Sequence, residues 1–187
     1  DIKVSSMDDF STFGKVFHKL NFSDAINRNP PLLTDYQVVV IGVDNPMIQE
    51  SIFKRELVTT DGANVIDTEK LAARIALIKA IKDFNLRRII TFHGRVKGAK
   101  EFAQNLDEIV NWIPKEDRPK GVINSEYVSG SMNSSKRNGK LKRLKNLKEF
   151  ERRILSNARC LSEGVDVPTL DGIAFIDPRR SQVDIIQ

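Results

Sequence analysis

The sequence predicts an α/β fold: a mainly parallel sheet with helices on both faces, a three-layer sandwich. Two observations predict it. Short apolar runs rich in β-branched residues alternate along the chain with longer stretches of helical period. The runs are also nearly continuous in apolar residues, as strands covered on both sides require.

Five runs are expected as strands: "YQVVVIGV" (residues 36–43), "RRIITFH" (87–93), "GVINSEYVSG" (121–130), "RRILSNA" (152–158) and "GIAFID" (172–177). Between them lie three helical stripes. Leu71, Ile75, Leu77, Ile78 and Ile81 follow an Asp67-Thr68-Glu69 start. Phe102, Leu106, Ile109, Val110 and Ile113 form the second stripe, ended by Pro114. Leu141, Leu144, Leu147 and Phe150 form the third, opposite a row of basic side chains. The first 35 residues are less regular: "KVFHKL" reads as a short strand, and "NFSDAINRNPP" as a brief helix capped by Ser23 and stopped by Pro30 and Pro31.

Composition excludes several classes. The 187 residues, 40% apolar and 29% charged, suit one globular domain or a domain with an appendage. No apolar run approaches the roughly 18 residues of a membrane span, so no membrane partner is expected. A signal-peptide layout is absent, and the lone Cys160 forms no internal disulfide, which suits the cytoplasm. With two histidines and one cysteine, no dedicated metal site is expected. The chain does not begin with Met, so a segment of a longer protein is expected. The net charge of +5 is concentrated: residues 136–153 carry nine basic against two acidic side chains, a local +7 that suits a polyanion or a solvated helix face.

In a parallel sheet, ligands bind beyond the carboxyl ends of the strands. Four of the expected strands end in small or polar clusters: His93-Gly94-Arg95, Ser129-Gly130-Ser131, Asn157-Ala158-Arg159 and Asp177-Pro178-Arg179-Arg180. Glycines there let a backbone approach closely and offer N–H donors, as phosphates require. Strand ends also carry such residues merely to turn the chain. Neither a Gly-x-x-x-x-Gly-Lys-Ser/Thr loop nor a Gly-x-Gly-x-x-Gly motif occurs.

"RRIITFHGRVKGAKEFAQNL", "YVSGSMNSSKR" and "RILSNARCLSEGVDVPTLDGIAFIDPRRSQVDIIQ" resemble, in order and spacing, the C-terminal RecA-like domain of superfamily 2 helicases. "LSEGVDVP" (161–168) is the most specific piece. The opening "FGKVFHKLNFSDAINRNPPLLTDYQVVVIGV" is similar to the start of this domain in bacterial restriction-type DNA helicases. The resemblance implies a RecA-like, P-loop NTPase-type domain over residues 36–187, after an entry segment (1–35) from an upstream helicase domain.

The same resemblance assigns residues. Gly164 and Asp166 match motif V of the ATP cleft, and Gln187 matches the first residue of motif VI, whose arginine fingers are expected just past it. His93, Gly94 and Arg95 match motif IV; with Gly130, Ser131, Asn157 and Arg159 they are expected along the nucleic-acid strand. Ala158 stands where many relatives have Thr, which removes a hydroxyl donor. The implied function is the second motor domain of an ATP-dependent helicase or translocase. ATP and Mg²⁺ would be held mainly by the upstream RecA-like domain, and DNA would be the partner, with RNA as its alternative. The rival reading is a non-catalytic nucleic-acid-binding module on the same fold.

Overall fold

The computed structural model describes residues 9–42, 68–104, 106–158, 160–161 and 170–177. The chain divides into two compact units, Asp1–Val40 and Ile41–Gln187.

In the first unit, helix α1 (Phe10–Phe13) starts where the Asp9 carboxylate accepts from the Ser11 N–H at 3.0 Å. Helix α2 (Phe22–Asn27) is capped by Asn21, whose amide oxygen accepts from the Asp24 N–H at 2.8 Å. The expected cap, Ser23, lies inside the helix and accepts from the Asn27 amide instead. Asn21 is the better placed oxygen because its own backbone is still extended. "KVFHKL" forms no strand.

Nor do residues 36–42, the described part of the first expected strand. The run has the right residue types but pairs with no strand among the described residues, and Val38 and Val40 are exposed. β-Branched composition fits a pleated, half-buried surface and does not supply the partner that makes a strand.

The second unit holds a four-stranded sheet of order β2-β3-β1-β4, formed by β1 (Arg88–Phe92), β2 (Val122–Ser129), β3 (Glu151–Ala158) and β4 (Gly172–Phe175). All three pairings are parallel. Helices fill the connections: α3 (Thr68–Asp83) before β1, α4 (Val96–Gln104) and α5 (Leu106–Trp112) before β2, and α6 (Ser134–Lys145) before β3. The second stripe thus spans α4 and α5, with Asn105 outside the described residues.

Alternation along each strand feeds two cores. Ile89, Ile123 and Ile154 face one side, under Leu71, Ile75, Ile78 and Ile81 of α3 and Phe102, Leu106 and Ile109 of α4 and α5. Ile90, Val128 and Leu155 face the other, under Leu144 and Leu141 of α6. Both faces are therefore covered, which gives the three layers. Ile154 and Leu155 are fully buried and contribute about 1.5–3 kcal/mol each by leaving water.

The third stripe is shorter than its leucines suggest. Helix α6 stops at Lys145, with Asn146 as its C-cap; Leu147 is half-buried, and Phe150 is exposed at a positive φ of 60°. The basic run consequently breaks in two, and Arg152 and Arg153 enter β3. Arg152 donates to the carbonyls of Lys120 (2.8 Å) and Leu86 and to the Asn85 side chain (2.7 Å), stitching together the loops at the amino end of the sheet. Arg153 pairs with Glu126 at 2.8 Å and Glu151 at 2.5 Å.

Glu126 on β2 is the anchor for α6. It takes two hydrogen bonds from Arg143 (3.0 and 2.7 Å), an ion pair from Lys140 (3.3 Å) and one from Arg153. The Arg143 hydrogen bonds, aided by the nearby Lys140 charge and opposed by partial burial, hold its carboxyl at a pKa of about 2. A depressed carboxyl pKa stabilises the fold above the unfolded value and loses that contribution as pH falls through the folded one.

Two stability predictions follow from these contacts. Glu126→Gln lowers stability at pH 7 by about 1–2 kcal/mol, after allowance for solvent screening, and its gap to the parent closes as pH drops from about 5 to about 2; urea melts of both proteins across that range measure it. Gly121 has φ +91°, and a Cβ there would meet the Phe150 carbonyl oxygen at 1.9 Å. Gly121→Ala is accordingly expected to cost about 2–4 kcal/mol, read as a lowered Tm.

Candidate nucleic-acid interface

Because every strand runs the same way, the four carboxyl ends share one edge of the sheet. His93, Gly130, Asn157 and Asp177 therefore lie along that edge, where the strands stand in the order β2, β3, β1, β4.

The turn after β1 is held from both sides. The His93 N–H donates to the Asn157 carbonyl of β3 at 2.9 Å, and the Gly94 N–H donates to Asp177 Oδ2 beyond β4 at 2.6 Å. A Cβ on Gly94 would stand 3.3 Å from that carboxylate oxygen, so only glycine leaves the approach unobstructed. The Ile176 N–H donates to the Phe92 carbonyl, and the Phe92 and Phe175 rings stack at 5.6 Å.

Beneath the turn runs a buried polar chain. Thr91 and Ser156 are register partners, and the Thr91 hydroxyl donates to Ser156 Oγ at 3.0 Å and contacts His93 Nε2 at 2.9 Å. The His93 ring is 2% exposed and meets Phe102 edge-on at 5.0 Å. The Arg74 guanidinium lies over the same Phe102 ring at 5.0 Å and donates to the Glu101 carbonyl at 2.9 Å. Burial pushes its pKa down, and the Glu101 charge opposes that shift. A packed column of Arg74, Phe102 and His93 thus supports the turn from α3 to β1.

Asn157 is fully buried, and its Oδ1 accepts from both the N–H and the Sγ of Cys160 at 3.1 Å. Its Nδ2 finds no acceptor among the described residues. Burial pushes the pKa of the Cys160 thiol up, against the nearby Arg137 charge. After β2, Ser129 Oγ and Ser131 Oγ lie 2.9 Å apart. Arg137, one turn into α6, reaches back to the Gly130 carbonyl at 3.4 Å.

Of the residues expected at the site, Arg95, Gly130 and Ser131 are exposed on this edge and Gly94 is half-buried. His93 and Asn157 lie beneath it, buried. Arg159, Gly164, Asp166 and Gln187 are outside the described residues. The Asp177–Gly94 contact was not anticipated; its signal was an acidic residue at the end of a strand of otherwise apolar residues. Among the described residues, no group of three His, Cys, Asp or Glu side chains is placed to hold a metal, and no helix is long and apolar enough to cross a membrane.

Asp177→Ala should cost about 1–2 kcal/mol and free the Gly94 amide to exchange with solvent, while Asp177→Asn, which keeps an acceptor, should restore most of the protection. Amide-exchange measurements on the three proteins check this.

The family described as the helicase conserved C-terminal domain matches residues 71–187. Among solved structures, the ATP-dependent Type ISP restriction-modification enzyme LlaBIII, bound to DNA, matches 99% of this chain with 31% identity and a TM-score of 0.78. The chain spans 12% of the length of that enzyme. No curated protein matches it. With well over half of its residues matched by that family and its parallel sheet alike in a solved relative, the chain belongs to the helicase conserved C-terminal domain family.

Proposed function

We propose that this domain is the second motor domain of an ATP-dependent DNA helicase or translocase, closing one side of an ATP cleft and gripping a nucleic-acid backbone along the carboxyl edge of its sheet. The observation that carries the reading is the gathering of Arg95, Gly130 and Ser131, exposed, on the one edge where a parallel sheet presents its ligand. The family membership and the ATP dependence and bound DNA named for the Type ISP enzyme support it.

In this reading Arg95 and Ser131 contact phosphate oxygens, and the Gly94 and Gly130 turns let the backbone come close. His93 and Asn157, being buried, hold those turns in shape. Arg159 adds a cation to the same strand. Gly164, Asp166 and Gln187 face the nucleotide, while ATP and Mg²⁺ are bound mainly by an upstream RecA-like domain. That domain supplies the phosphate-binding loop missing from this sequence. Arginine fingers, of the kind that stabilise charge on a transferring phosphoryl group, follow Gln187. Residues 1–35 serve as the entry from the upstream domain, and the protein works in the cytoplasm. Hydrolysis opens and closes the cleft, and the grip steps along the strand. Contacts limited to the backbone are sequence-independent and salt-sensitive.

Two measurements test this. The 187-residue chain alone should release no phosphate from ATP above background, with or without DNA; clear DNA-stimulated hydrolysis by it contradicts the half-motor reading. Arg95→Ala should weaken binding to a 20-nucleotide oligo(dT) about 5–10-fold and reduce the slope of log K against log salt by about 0.7, one single-strand phosphate contact. Unchanged affinity and slope would remove Arg95 from the interface.

A further inference from the structure

The basic helix α6 lies outside the proposed strand grip, and it divides into two unequal flanks. Its twelve residues, Ser134–Lys145, hold six cations and no acid. On one flank Lys140 and Arg143 are drawn onto Glu126, and Lys140 also sits 5.4 Å over the Tyr127 ring. Arg137 is occupied at the Gly130 carbonyl, and Lys136, exposed in the first turn, falls one turn before Lys140 on that same flank. Leu141 and Leu144 face the core. The remaining flank is Asn138, Lys142 and Lys145, at helical spacing, with Asn146 at its end. Together with Leu141 these residues line a shallow hollow. Lys142 and Lys145 are exposed and have no ion-pair partner among the described residues.

A merely solvated helix face intersperses both signs and gains from i,i+4 pairs, whereas like charges in that spacing destabilise it by a few tenths of a kcal/mol each. This flank keeps its cations unpaired while an acid is supplied to the other flank. We propose that the Asn138–Lys142–Lys145 flank is a second phosphate-binding surface, which takes the backbone of duplex nucleic acid.

Duplex is the favoured partner because the helix carries no aromatic side chain, so it offers no platform on which the bases of a single strand can stack. A membrane surface is disfavoured because the helix's apolar side is spent on the core and cannot insert. Lys142 and Lys145 stand about 4.5 Å apart along the axis, within lysine reach of neighbouring phosphates, and the two asparagines add neutral donors. The inference rests on the proposed nucleic-acid function but uses a different surface from the carboxyl edge.

The test compares the parent protein with Lys142→Gln/Lys145→Gln, using a labelled 20-bp duplex and a 20-nucleotide oligo(dT) across a salt series. The double variant is expected to bind the duplex about tenfold more weakly at 50 mM salt. Its slope of log K against log salt should fall by about 1.8, two duplex phosphate contacts. Oligo(dT) affinity should change less than twofold and Tm should hold, because the Glu126 anchor is intact. Lys97→Gln/Lys100→Gln on α4 serves as the charge-matched control and should leave both ligands unchanged. Unaltered duplex affinity in the α6 variant overturns the inference. So does an equal loss on both ligands or in the control, which indicates general steering. A parent protein that binds neither nucleic acid overturns the functional reading itself, and the two failures are thereby separated.

Discussion

A parallel sheet covered on both faces leaves polar groups only its two edges, and the rest of this domain follows from that constraint. Ile89 and Ile90, or Ile154 and Leu155, are neighbours in sequence that belong to opposite cores. A shift of one residue would exchange the side chains of the two cores and part Thr91 from Ser156, its register partner. All three pairings are parallel, so the four chain exits meet at one edge. The buried hydroxyls of Thr91 and Ser156 are tolerated because the register sets them opposite each other, with His93 as a further partner.

The two edges use their charges differently. At the amino edge, arginines act as multiple donors to carbonyls: Arg152 to Lys120 and Leu86, Arg87 to Glu151 and Lys148, Arg88 to Lys145. The Asp171 carboxylate accepts from the N–H groups of Arg87 and Arg88 there. At the carboxyl edge, Asp177 is spent on a backbone N–H, while Arg95 stays exposed. One edge is knitted shut, and the other presents donors to solvent. Counting cations in the sequence therefore overstates the binding surface, since much of the local +7 between residues 136 and 153 is consumed by Glu126, Glu151 and carbonyl oxygens.

The layered α/β class, four of the strands and the shared carboxyl edge were legible in the sequence, because period and apolar continuity report burial directly. What was not legible depended on partners distant in sequence. Residues 36–42 have strand composition, but composition does not supply a partner strand, and among the described residues they form none. Leu147 and Phe150 continue the spacing of Leu141 and Leu144 and so predict a longer third helix, while the positive φ at Phe150 and the Gly121 turn beneath it are tertiary facts. The motif position of His93 predicts a place along the nucleic-acid strand, and its burial follows from Phe102 and Thr91, which only the fold brings to it. Asp177 lay in a recognised cluster, yet its bond to Gly94 spans 83 residues.

Amide hydrogen exchange with and without oligo(dT) examines the central claim, that the carboxyl edge is where a nucleic-acid strand lies. The account predicts protection at residues 93–95 and 129–131, with residues 85–87, 120–121 and 146–150 of the amino edge unchanged. Protection confined to the amino edge, or none on either edge under conditions where the oligonucleotide is bound, would contradict it.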